Sequence, residues 1–317
     1  MQPETRYARL GRDRIAYQVL GQGPSDLVLA VGVTVDVAWE EPGAAFWLRN
    51  LASFSRLIFF DRRGSGASDP LPSDHLPPWE SYAEELDAVM DAVGSERAAL
   101  LADIVDGPTA LLFAGTRPER TSALILMHTT AKYVASADYP TGIPAEVAEM
   151  LLDQIDQSWG TDAMAAIWVP SRAGDERLGR WWAKMERARG SPRAVKASLR
   201  AVLELDVRPV LPLTQTPTLV LHRKDFHAVP IEHGRYLAEH IPGAKLVELP
   251  GADLTPVWEA PELALDLIEE FLTGVHRIPE PKRVLATVLF SDIVDSTKRA
   301  GQLGDWRWRE RLDVHDE

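Results

Sequence analysis

Short apolar runs alternate with amphipathic stretches along most of the chain. Arg14–Gly32 (RIAYQVLGQGPSDLVLAVG) reads as a strand, a Gly/Pro turn and a buried strand. Arg56–Asp61 (RLIFFD), Ala98–Asp103 (AALLAD), Ser122–His128 (SALILMH), Thr216–Arg223 (TPTLVLHR) and Ala244–Gly251 (AKLVELPG) are further apolar runs that predict strands. Ser81–Gly94 (SYAEELDAVMDAVG) has apolar positions at helical spacing and ends on a C-cap glycine. Gly107–Pro118 predicts a helix directly after a strand, and Pro261–Gly274 an amphipathic helix stopped by Gly274. Strands alternating with helices predict an α/β protein, a mostly parallel sheet with helices on both faces.

The alternation breaks between about residues 133 and 206, where only helical patterns occur: Pro144–Gly160, Asp162–Val169, Glu176–Gly190 and Pro192–Leu205. An all-helical insertion between two strands of such a sheet predicts a cap over the C-terminal strand ends, where ligands bind. Residues 275–284 (VHRIPEPKRV) read as an extended linker. Residues 285–317 then predict a strand, a tight loop and a helix, too little to bury a core alone.

Composition narrows the function. The 34 Lys and Arg against 47 Asp and Glu leave a formal charge of −13, which disfavours nucleic acid because phosphates would meet no basic stripe. The absence of cysteine excludes disulfides and thiolate zinc sites. The N-terminus has no apolar signal segment, and no run approaches the roughly 20 residues that span a bilayer, so the expected location is the cytoplasm.

The order of elements over residues of about 5 to 274 resembles the α/β-hydrolase fold family, helical cap included. The resemblance rests on Asp61–Asp69 (DRRGSGASD), on the strand–elbow–helix at Ala99–Ala114, on Arg117–Arg120 (RPER) and on His222–Asp253. It implies a nucleophile in G-x-S-x-G at a strained turn, an acid after the next-to-last strand and a histidine after the last. Those positions hold Ile104, within Ala102–Asp106 (ADIVD), then Phe226, four residues before Pro230, and Leu254, within PGADLTPVW. A serine without base and orienter is a poor nucleophile, so ordinary Ser-His-Asp hydrolysis is not expected.

Three readings follow. The first is a catalytically inactive sensor, with Val33, Ile104, Phe226 and Leu254 flooring a pocket for an apolar small molecule and Trp159, Trp168, Trp181 and Trp182 supplied by the cap. Asp103, Asp106, His128 and His227 are its polar candidates. Plain cap packing and a filled core are the competing accounts of those apolar side chains. The second reading is an enzyme of esterase or lactonase type, or a non-hydrolytic one, using Asp103, Asp106 and His227 for acid–base work. The third is a dimerisation scaffold, with a homodimer as its product.

The tail (VLFSDIVDSTKRAGQLGD) resembles the opening of class III adenylate/guanylate cyclase domains. That resemblance implies a Mg²⁺ or Mn²⁺ site with ATP or GTP at Asp292 and the Ile293 carbonyl, usable only in a complete cyclase domain. The chain ends at Glu317, before a second metal carboxylate, so this chain is expected to form no cyclic nucleotide; its hydrolase-like part is expected to need no cofactor. The sensor reading couples the two parts in signal transduction.

Overall fold

A computed structural model describes residues 2–72 and 76–275, with 298, 301–304 and 307. Eight strands form one sheet in the order β1-β2-β4-β3-β5-β6-β7-β8. They are β1 (Arg6–Leu10), β2 (Asp13–Leu20), β3 (Asp26–Ala30), β4 (Arg56–Phe60), β5 (Ala98–Asp103), β6 (Thr121–Met127), β7 (Thr218–Arg223) and β8 (Lys245–Leu249). The first two pairings are antiparallel and the other five parallel, which is the mostly parallel α/β arrangement the alternation predicts.

The inner strands are buried on both faces, so their residues sort by parity into two cores. Val28 and Ala30 of β3 pack with α2 (Glu80–Ala92), α3 (Gly107–Thr116) and α8 (Ile231–His240). Leu27 and Leu29 pack with α1 (Pro42–Phe54) and α9 (Pro261–Thr273). All six residues of β5 are buried, which fits its central place. The expected stops hold locally: Gly94 and Gly274 both take positive φ past the ends of α2 and α9.

The helical segment between β6 and β7 comprises α4 (Ala145–Ser158), α5 (Ala163–Trp168), α6 (Glu176–Arg189) and α7 (Pro192–Leu203). Asp175 caps α6 by accepting from the Arg177 and Leu178 N–H groups, and Ser191 caps α7 ahead of Pro192. The segment is closed at its base by an antiparallel bridge between Lys132 and Asp206. It is tied to the sheet's C-terminal edge at three points. Ser171 donates from both N–H and Oγ to the buried Asp253, the Leu254 N–H donates to the Trp168 carbonyl, and the Trp181 indole donates to the Val37 carbonyl.

The cyclase-like positions Asp292 and Ile293 lie outside the described residues. Among the described residues no helix is long and apolar enough to cross a membrane.

Candidate active site

The chain turns from β5 into α3 through one 3₁₀ turn, Ile104–Asp106. Ile104 has φ +35, a left-handed conformation that is strained for a β-branched side chain. The strain is held from the next strand. Thr129, just after β6, donates its hydroxyl to the Ile104 carbonyl at 2.5 Å. Gly107 lets Thr129 in: a Cβ there would lie 2.1 Å from the Thr129 hydroxyl.

Loop 62–69 is anchored by Asp61 at the end of β4. Asp61 Oδ1 accepts from the Val35 N–H and Oδ2 from the Ala67 N–H, each at 2.8 Å. Gly66 has positive φ and lies so close that a Cβ would meet Asp61 Oδ2 at 1.9 Å. Burial pushes the Asp61 carboxyl up to about 6, against the pull of those two N–H groups.

The anchored loop, the elbow, the loop after β3 and the cap enclose a cavity of about 260 Å³. Val33, Ile104, Leu254, Trp159, Trp168 and Trp182 line it. Phe226 is buried behind the lining, packed on the His128 ring at 5.2 Å and on Trp168 at 6.2 Å. Even so, Ile104, Phe226 and Leu254 belong to one apolar cluster beneath the cap. Trp181 is not among the lining residues; it packs edgewise on Trp182 and Trp258 with its indole N–H bonded to backbone. His227 is exposed and off the cavity, so the acid–base role expected of it fails on position. His128, fully buried, has φ +48 and also lies off the cavity.

The cavity is not wholly apolar. Asp103 and Asp106 both line it, joined by Arg62 and Arg189, two residues that carry no signal in the sequence. Asp106 is buried and ion-paired with Arg62 at 3.0 Å. The groups are not aligned for a hydrogen bond, and Arg62 Nη1 and Asp106 Oδ1 have no hydrogen-bonding partner. Asp103 is pushed up to about 8, first by burial and then by the neighbouring Asp106 charge, with the Arg189 guanidinium, the Gly32 N–H and Arg62 pulling the other way. It is therefore protonated at neutral pH. The arrangement offers an acid that can donate, a carboxylate beside an arginine, and a second arginine, all lining one cavity. Two carboxyl groups in environments this different can divide acid and base roles. Among the described residues no cluster of three or more His, Asp or Glu is placed to hold a metal ion.

The fold agrees with what the chain is related to. Residues 37–261 match the family model of the alpha/beta hydrolase fold, and the chain belongs to that family. It is 28% identical to a 2-hydroxy-6-oxo-6-phenylhexa-2,4-dienoate hydrolase of Burkholderia cepacia over 84% of this chain and 93% of that protein. It is 23% identical to a probable esterase of Oryza sativa subsp. japonica over 79% and 93% of the two chains. An esterase from Exiguobacterium antarcticum superposes with a TM-score of 0.75 at 19% identity, covering 85% of this chain and all of that one. These comparisons overturn the expectation of an inactive sensor coupled to a cyclase. The two relatives named above are a hydrolase and a probable esterase, and neither supports a cyclase domain. The expectation rested on apolar residues at all three triad positions, Ile104, Phe226 and Leu254; the carboxyl-bearing residues on either side of Ile104 line the same cavity as it does.

Proposed function

We propose that the chain is an α/β-hydrolase-fold enzyme that cleaves ester or lactone bonds with Asp103 and Asp106 in place of a serine nucleophile. The observation that carries the reading is Asp103, a cavity-lining carboxyl held protonated near neutral pH beside an ion-paired Asp106. In this scheme the apolar body of the substrate lies against Val33, Ile104, Leu254, Trp159, Trp168 and Trp182, which exclude water from the reacting bond. Asp106 takes a proton from an attacking water, whose oxygen adds to the carbonyl carbon. Arg62 and Arg189 stabilise the charge that develops on the carbonyl oxygen. As the tetrahedral adduct collapses, the C–O bond to the leaving group breaks and Asp103 gives that oxygen its proton. Return of the proton from Asp106 to Asp103 through solvent resets the site. The relatives, a dienoate hydrolase and a probable esterase by name, support a hydrolytic reading of this chain.

The test is turnover on a panel of aryl esters and lactones by the wild type, D103N and D106N. The expected result is hydrolysis that falls by about two orders of magnitude or more in D106N, the usual weight of a general base. Hydrolysis equal to the uncatalysed rate across the panel, or activity unchanged in D106N, would overturn the reading.

A further inference from the structure

Arg62 places a positive charge beside Asp106, yet its partner does not fix its orientation. The two stand 3.0 Å apart as an ion pair and are not aligned for a hydrogen bond. Charge attraction alone holds a distance and leaves a guanidinium free to turn, whereas a hydrogen-bonded fork would orient it. The orientation comes from α2, where residues 82 and 85 share one helix face.

The Arg62 guanidinium carbon lies over the Tyr82 ring, 5.3 Å from its centroid. A guanidinium favours the face of an aromatic ring, both through the ring quadrupole and by flat stacking. Tyr82 is itself buried, and the Trp79 ring braces it at 4.7 Å. One turn on, Glu85 is fully buried and accepts from the Arg63 N–H at 3.1 Å and from Arg63 Nε at 2.8 Å. The Arg63 side chain also donates to Asp13 at 2.9 Å and to Ser81 at 3.3 Å. The Arg63 N–H belongs to the peptide unit that joins it to Arg62. Glu85 therefore fixes the backbone of Arg62, and Tyr82 fixes its head group. Arg62 and Asp106 line the cavity, while Tyr82 and Glu85 do not.

We propose that Tyr82 is a positioning residue of the candidate active site: from outside the cavity its ring holds the Arg62 guanidinium in the pose that meets Asp106 and a bound acyl group. The inference rests on the enzyme reading, in which Arg62 stabilises charge on the carbonyl oxygen, and it adds to that apparatus a helix that touches no substrate. It also sets the two cavity arginines apart. Arg189 belongs to the cap as the last residue of α6, whereas the pose of Arg62 is set by α2.

The test is a set of variants assayed on aryl esters: Y82F, Y82L, R62Q and Y82L/R62Q. Y82F keeps the ring, so its kcat and KM are expected within about twofold of wild type. Y82L removes the ring face and should lower kcat about three- to thirtyfold, the weight of a cation–π contact, with KM unchanged. Added to R62Q, Y82L should lower kcat no further, because the group it positions is gone. If R62Q does not fold, R62K replaces it; its ammonium has no flat face to stack, and the Y82L loss should shrink in that background. An equal Y82L loss with and without Arg62, wild-type kcat in Y82L, or equal losses in Y82F and Y82L overturns the inference and leaves the enzyme reading standing. The same proteins are unfolded in urea, where the Tyr82 and Arg62 substitutions should be non-additive whether or not esters turn over. Additive unfolding also overturns the inference. Non-additive unfolding without ester turnover by any of the proteins would remove the enzyme reading and leave Arg62 held by Tyr82.

Discussion

The Thr129 hydroxyl donates to the Ile104 carbonyl at 2.5 Å, and this bond joins the strand after the elbow to the elbow itself. It holds a β-branched residue at φ +35, a conformation that costs on the order of 1–3 kcal/mol. Removing the bond should therefore be felt as lost stability and a looser elbow. Thr129→Val keeps the shape and deletes the donor, and should lower the unfolding free energy by about 1–3 kcal/mol in urea titrations. Thr129→Ser, which keeps the donor, should lose clearly less. Equal losses in the two variants would show that packing, not the hydrogen bond, matters at this position.

Asp103 makes stability depend on pH across the range between its unfolded and folded values. Its carboxyl is raised to about 8 in the folded protein, against an ordinary value of 3.8. Between those values the folded state keeps a proton that the unfolded state has released, so from this group stability falls as pH rises. The slope is about 1.4 kcal/mol per pH unit, and it ends once pH passes the folded value. Asp103→Asn has no proton to lose. The difference in unfolding free energy between variant and wild type should shift in the variant's favour from pH 5 to pH 8. A constant difference across that range would contradict a protonated Asp103.

Three buried histidines act on the acid side. Burial lowers His128, reinforced by the His222 beside it; burial lowers His222; and burial lowers His233 to about 4. Unfolded histidine titrates near 6.5, so as pH falls below that value the unfolded chain gains protons that the folded chain refuses. Their contribution is complete above about 6.5 and is lost progressively toward pH 4. His128→Asn suits the positive φ at this residue. It should reduce the proton uptake on acid unfolding by about one, measured as the slope of unfolding free energy between pH 6 and pH 5. An unchanged slope would mean that His128 is charged in the folded state.

Putting a hydroxyl at the elbow should not create a serine hydrolase. Ile104→Ser places the family's nucleophile where its strained turn expects it, but its neighbours in the same cluster are Phe226 and Leu254. Without a histidine base and its orienter the serine stays a poor nucleophile. Intact-mass spectrometry after incubation with a fluorophosphonate should show no adduct on this variant. A stoichiometric adduct would show that a carboxylate of the same cavity, such as Asp106, can activate a serine without a histidine.

The fold is largely legible because burial on both faces leaves continuous apolar runs, and β5 and β7 are such runs. β1 gives no such run, because it is an edge strand with only Ala8 buried. The pattern of strands and helices also passes over α1, although Glu41 and Pro42 mark its start and Trp47, Leu48 and Leu51 its apolar face. In the site, Ile104 and Leu254 line the cavity, but adjacent residues face different ways. Trp182 therefore lines the cavity while Trp181 binds backbone, and Phe226 is buried while His227 is exposed. Arg62 and Arg189 carry no sequence signal of burial. An arginine after a strand or at a helix end ordinarily faces water, and only the cap folding over them puts their charges inside.

Asp61 accepts one backbone N–H on each carboxylate oxygen, and that double demand decides which side chain can stand there. Asparagine has the same shape, but its amide nitrogen would point a donor at a donor and push one of the two loops away. The aspartate in Asp61–Asp69 thus works as a spacer between loops. A signature so placed can pass unchanged between proteins whose chemistry differs, because it records the distance between two loops and nothing of what reacts between them.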